Sequence, residues 1–167
     1  MKSLKILHLS DIHIGANETL LRDLPYKIGQ DINDNKHKFS NEISTILITG
    51  DIFDGKSPFN DNLIDRAITF FVDLIEVING NFQIKIDREN FIFVPGNHDV
   101  IRRDENKFEK YETFLKKFYG EEYYKDNYDD NQTTLKIYDE YKIIIIGFNS
   151  VNIEKNKNND SHKQWIK

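Results

Sequence analysis

The chain contains no cysteine, which excludes disulfides and thiolate zinc sites together. No apolar run approaches the ~20 residues that a membrane-spanning helix needs. No secretory leader is expected either, since Met1-Lys2-Ser3 leads at once into a short strand that contains His8. Nor is there a cationic excess. Lys and Arg number 23 against 28 Asp and Glu, a net charge of −5, so no global basic field invites nucleic acid. Asn, Lys and Ile are frequent, yet no tract is of low complexity and no repeat is visible. These absences predict a soluble, cytoplasmic protein, and 167 residues suffice for one domain with a real core.

What the chain does carry is a strand-end pattern, used three times. Ile46 to Thr49 are β-branched or aliphatic and read as a short buried strand. The run stops at Gly50-Asp51-Ile52-Phe53-Asp54, a strand opening into a loop. A carboxylate there is held by a rigid sheet yet faces the crevice where open α/β sheets place their chemistry. Lys5-Ile6-Leu7-His8-Leu9 likewise runs into Ser10-Asp11-Ile12-His13, and Phe91-Ile92-Phe93-Val94 into Pro95-Gly96-Asn97-His98-Asp99. One Gly-Asp alone reads as a turn with a solvated carboxylate; three such ends deliver oxygen and nitrogen donors together. Asp11 and His13 are two residues apart, so an extended backbone would put both on one face. Carboxylate, imidazole and amide oxygen suit Mn²⁺, Fe²⁺ or Zn²⁺, and Asp51 could bridge two such ions.

Between these ends the pattern predicts helices. Residues 14–42 have no strong period; Leu20, Leu21, Leu24 and Ile28 suggest one helical face, interrupted by Pro25 and Gly29. His37 in this segment reads as a solvated surface histidine. The clearest helix has Ser57 as N-cap and Pro58 at its first position. Leu63, Ala67, Phe70, Phe71, Leu74, Ile75 and Ile78 follow at helical spacing, and Asn79-Gly80 supplies the stop. Strand-helix-strand order implies parallel strands. Asn81 to Asn90, with Phe82, Ile84 and Ile86 alternating, reads as a small excursion or an extra strand. Phe108, Tyr111, Phe114, Leu115 and Phe118 predict a further amphipathic helix ending near Gly120. Glu121 to Asp130 reads as an exposed acidic loop, and Leu135–Tyr138 with Tyr141–Phe148 as a hairpin whose second strand is fully buried. Residues 152–160 form a charged, Asn-rich loop.

Asp11-x-His13, Gly50-Asp51-x-x-Asp54 and Gly96-Asn97-His98-Asp99, in that order, resemble the first three motifs of the calcineurin-like metallophosphoesterases. The resemblance covers roughly the first 150 residues. It implies an α/β/β/α sandwich and a binuclear centre, with Asp11, His13 and Asp51 on one metal and Asp51 and Asn97 on the other. Manganese is the first choice of ion, iron or zinc the alternatives. His98 would sit beside the metals and act on the phosphate or leaving group, oriented and kept protonated by Asp54. Hydrolysis of a phosphomonoester or phosphodiester would then follow from attack of a metal-bridging hydroxide, the metals about 3.5–4 Å apart. Arg102 and Arg103 either clamp the phosphate or are solvated charges where a helix begins. Asn149-Ser150 departs from the Asp-Ser that family members often carry.

Two other functions fit the same motifs. Leu9-Ser10-Asp11-Ile12-His13-Ile14-Gly15 and Gly50 to Asp54 also resemble DNA-repair exonucleases of the superfamily, against which the acidic balance stands. A non-catalytic scaffold would keep the fold and use its surface, against which the intact motifs stand. The family pattern continues with Gly-His and Gly-His-x-His motifs. Of the five histidines, His8, His13, His37, His98 and His162, none lies in such a motif. Ser161-x-x-Gln164 is a capping box that opens a helix with Trp165 and Ile166, just before Lys167. The expectation is a phosphoesterase domain over 1–167 that is truncated at its C-terminal end and incomplete in its second sheet. Weak metal retention, little activity and self-association through the uncovered Ile143–Ile146 run would follow.

Overall fold

A computed structural model describes residues 3–39, 43–81, 85–101 and 106–151. Three short strands run parallel: β1 (Ile6–Leu9), β2 (Thr45–Thr49) and β3 (Phe91–Val94), with β2 in the middle. The register pairs Ile46 with Phe91 and Ile48 with Phe93. Because side chains alternate along a strand, all four fall on one face, and none is more than 1% exposed.

Helices cover that face. Between β1 and β2 lie α1 (Glu18–Asp34) and the single turn α2 (Lys36–Phe39); α3 (Asp61–Asn81) connects β2 to β3. Downstream come α4 (Glu109–Tyr119) and α5 (Glu121–Asn127). Phe71 of α3 packs 4.9 Å from the Phe93 ring and 5.7 Å from Phe91, while Phe114 and Phe118 of α4 each stand 5.1 Å from Phe93. Most of these pairs are edge-to-face, the geometry that aromatic quadrupoles favour. Each buried ring contributes about 1.5–3 kcal/mol by its removal from water.

Several expectations change here. Residues 18–34 form one 17-residue helix, capped by Asn17, whose side chain accepts from the Leu20 amide at 3.2 Å. Pro25 and Gly29, read as interruptions, lie with Leu21 and Ile32 on the face buried against α3. Their non-aliphatic character hid the helical period. The N-cap of α3 is Asn60, whose Oδ1 accepts from the Leu63 amide at 3.1 Å. The Ser57 hydroxyl donates instead to Asp54 Oδ2 at 3.1 Å. Helix α3 runs to Asn81, one residue past the expected Asn79-Gly80 stop, and the Asn79 side chain donates to Ile86 O and accepts from Ile86 N, both at 2.8 Å. Phe82 and Ile84 lie outside the described residues, as do Arg102, Arg103, His162 and the capping box.

The predicted acidic loop after Gly120 is largely helix α5, because its tyrosines are anchors. Along the outer edge of β3, the Tyr128 hydroxyl accepts from Phe93 N at 3.1 Å and the Tyr119 hydroxyl donates to Phe91 O at 2.8 Å. The two phenols are themselves 3.2 Å apart. Side chains therefore satisfy backbone groups where a fourth strand would otherwise sit.

The hairpin comprises β4 (Thr134–Tyr138) and β5 (Ile143–Gly147), an antiparallel pair not hydrogen-bonded to the three-stranded sheet. Its inner face meets β3, with Gly147 seated against Ile92 and Val94. The expectation that β5 is fully buried is overturned: Ile144 is 60% exposed and Ile146 61%. Pairing of Leu135 with Ile146 and Ile137 with Ile144 gathers four apolar side chains on the outer face, which no described element covers. That exposure matches the expected uncovered run.

Candidate metal centre

The loops that follow the strands lie side by side. Asp11 N donates to Gly50 O at 3.1 Å, His13 N to Asp51 O at 3.1 Å and Ile14 N to Ile52 O at 2.7 Å. Asp54 N returns a bond to Ile14 O at 3.0 Å, so the first motif is zipped along the second. Asp11, His13 and Asp51 all occupy the left-handed region, with φ of 54°, 53° and 52°. The extended backbone expected for Asp11 and His13 is therefore absent. Left-handed conformations in residues other than glycine carry strain and gather at functional sites. Here they turn three donor side chains toward one crevice. Nothing in the one-dimensional pattern announced them.

The third loop is pressed onto the second at two glycines. Gly50 has φ of 88°, and a Cβ on Gly96 would lie 2.3 Å from both Asp51 N and Asp51 Oδ1. Only a backbone without a side chain can approach so closely. Asp51 Oδ1 in turn accepts from His98 N at 3.0 Å.

Beneath this contact lies Asp99, a motif residue for which the sequence suggested no task. It is fully buried; one carboxylate oxygen accepts from Phe53 N at 3.0 Å and the other from Gly96 N at 2.7 Å. It thus fastens the second motif to the third. Burial pushes its carboxyl up to about 7, against the pull of those backbone donors.

His13, Asp51 and His98 offer one donor atom each within 4.8 Å of one another. Asp11 stands at the rim, its Oδ1 3.9 Å from His13 Nε2 and its Oδ2 accepting from Ser10 Oγ at 2.6 Å. Asp11, Asp51 and Asn97 also line a cavity of about 380 Å³ with Ser150 and Val151. Asn97 also lines a second cavity of about 520 Å³, together with His98, Asp54, Lys56, Phe59 and Ile101 among others. Imidazole and carboxylate donors so placed fit a divalent cation. Of the residues expected at the site, His13, Asp51 and His98 converge, Asp11 stands beside His13, Asn97 lines the same cavity as Asp11 and Asp51, Asp54 lines the second cavity, and Arg102 and Arg103 are not described. His98 enters the same cluster, because Asn97-His98 lies in a turn and not on extended backbone. Its Nδ1 receives the Gly55 amide at 3.3 Å, whereas Asp54 Oδ2 is engaged by Ser57.

Asn149 is 3% exposed; its amide donates to Asn131 O at 2.7 Å while its Oδ1 accepts from Val151 N at 2.9 Å. An Asp could not donate, so the departure from Asp-Ser serves the loop that frames the cavity.

The sequence model of the calcineurin-like phosphoesterases matches residues 4–167, and the chain belongs to that family. Comparisons with curated proteins and with solved structures give no match. Among the described residues no helix is long and apolar enough to cross a membrane.

Proposed function

We propose that the chain is a metal-dependent phosphoesterase that hydrolyses phosphomonoesters or phosphodiesters at the crevice formed by the three motif loops. The observation that carries this reading is the convergence, in a chain of this family, of His13 and Asp51 within 4.8 Å, with Asp11 3.9 Å from His13 and Asn97 lining one cavity with Asp11 and Asp51, and the His98 ring beside them. Asp11, His13, Asp51 and Asn97 would hold two divalent cations, manganese first among them, with Asp51 shared. When bound, such ions neutralise phosphoryl charge and lower the pKa of a coordinated water.

The chain's own groups do the rest. Asp51 is held by the His98 amide, so its carboxylate is oriented before substrate arrives. The zipped loops keep Asp11 and His13 at a fixed distance from it, which limits reorganisation during the reaction. His98 lines the larger cavity, offers a ring nitrogen within 4.8 Å of His13 and Asp51, and can donate a hydrogen bond to a phosphoryl or leaving-group oxygen.

The test is metal loading followed by turnover. Manganese is added to chelator-treated protein, its content measured by elemental analysis, and hydrolysis followed on p-nitrophenyl phosphate and bis(p-nitrophenyl) phosphate. Asp51→Ala should lose most of the metal. His98→Ala should retain metal and lose about 10²–10³-fold in kcat, the worth of one preorganised donor. Unchanged metal content in Asp51→Ala, or no turnover of either ester by the loaded wild type, overturns the proposal.

A further inference from the structure

Three contacts fix His98. Its backbone N–H donates to Asp51 Oδ1 at 3.0 Å, its ring lies edge-on with centroid 5.2 Å from that of His13, and Nδ1 is 3.3 Å from Gly55 N. The last contact specifies more than position. A backbone amide can only donate, so Nδ1 must accept. A neutral imidazole that accepts at one nitrogen carries its proton on the other. Gly55 also supports the contact sterically. A Cβ at position 55 would lie 2.9 Å from Cγ of His98, 3.0 Å from Nδ1 and 3.2 Å from Cδ2. The amide reaches the ring because residue 55 has no side chain.

We infer that Gly55 is the positioning residue of His98: its N–H holds the imidazole as the Nε2–H tautomer and so presents a hydrogen-bond donor to an ester oxygen. The identity of that oxygen rests on the phosphoesterase reading; the tautomer does not. Protonated Nε2 has no lone pair for a metal, and Nδ1 is engaged by Gly55. That tautomer accords with the set Asp11, His13, Asp51 and Asn97 that the family resemblance implies. The role expected of Asp54, to orient this ring, passes to the backbone of the next residue, since Asp54 Oδ2 is engaged by the Ser57 hydroxyl. Asp54 then acts one step away, by shaping the loop that carries Gly55.

The tautomer is read directly from two-bond ¹H–¹⁵N correlations of the imidazoles in uniformly labelled, metal-free protein. With five histidines in the chain, His98→Gln identifies the relevant signal. The wild type should show a protonated Nε2 and an unprotonated Nδ1 at His98, unchanged in Asp54→Asn and disturbed in Gly55→Ala. A protonated Nδ1 in the wild type overturns the inference, as does a change in Asp54→Asn. If Gly55→Ala does not fold, the wild-type and Asp54→Asn spectra still decide. In manganese-loaded protein, Gly55→Ala should lose about 10²-fold in kcat on bis(p-nitrophenyl) phosphate, the order expected for misplacing a reacting group by about 1 Å. KM and metal content should hold; loss of metal, or a change confined to KM, refutes the positioning role. A wild type that hydrolyses no ester refutes the phosphoesterase reading alone, because the spectrum of the metal-free chain is independent of it.

Discussion

Gly96→Ala is the sharpest perturbation of the site that leaves every donor in place. The added Cβ would lie 2.3 Å from Asp51 N and from Asp51 Oδ1, and 2.8 Å from Gly50 Cα. Non-bonded carbons settle at about 3.5–4.0 Å, so the second and third loops must part by roughly 1 Å. Neither obstacle at 2.3 Å is a flexible side-chain end: one is backbone, and the other is the carboxylate oxygen held by His98 N. Overpacking of this kind costs about 1–3 kcal/mol, equivalent to a Tm lower by roughly 2–12 °C for a domain of this size. The functional loss should exceed the loss of stability, because a 1 Å misplacement costs about 10²-fold. Thermal unfolding, manganese content and turnover are measured together. Gly80→Ala is the comparator: it lies in α3 with nothing within 4 Å of its would-be Cβ and should stabilise by about 0.5–1 kcal/mol. A Gly96→Ala protein with wild-type melting and wild-type metal content would refute the reasoning.

Three further outcomes follow. Burial holds the Tyr111, Tyr119 and Tyr128 hydroxyls above their ordinary value of 10.0, so their folded-state values exceed the unfolded one. The stability they contribute is complete below about pH 10 and falls as pH rises further; phenolate absorbance should show these three of eight tyrosines ionising only with unfolding. The Tyr111 hydroxyl is buried without a hydrogen-bond partner among the described residues. Tyr111→Phe should therefore be neutral or stabilising by up to about 1–3 kcal/mol in urea unfolding, and a destabilised variant would contradict that. Self-association is expected through the exposed hairpin face; Ile144→Lys with Ile146→Lys should shift the sedimentation coefficient toward the monomer, and an unchanged profile would exclude that face.

Strand ends were the most legible part of this sequence, because buried parallel strands read as continuous apolar runs and stop where the donors begin. Helix α4 was equally plain, its aromatics recurring at helical spacing. Legibility failed where residue type and environment diverge. Pro25 and Gly29 sit on the buried face of α1, and Tyr124 and Tyr128 bury phenols in a segment whose charge suggests a loop. At the site the donor residues could be named, but not the left-handed backbone that aims three of them. The Gly55–His98 contact was invisible as well, since a backbone amide leaves no trace in residue identity.

The tyrosines along β3 have a consequence for how this molecule meets its neighbours. An open strand edge is a template on which foreign backbone can be laid down, and aggregation commonly begins there. Here the positions a newcomer would need at Phe91 and Phe93 are already occupied by phenol oxygens, rooted in α4 and in the residue that follows α5. A hydroxyl is a single contact with no next residue behind it, so it closes the ladder without propagating it. The sheet has a finished side, and an exchange of Tyr128 for phenylalanine would unfinish it, converting a capped edge into a nucleus for pairing between molecules.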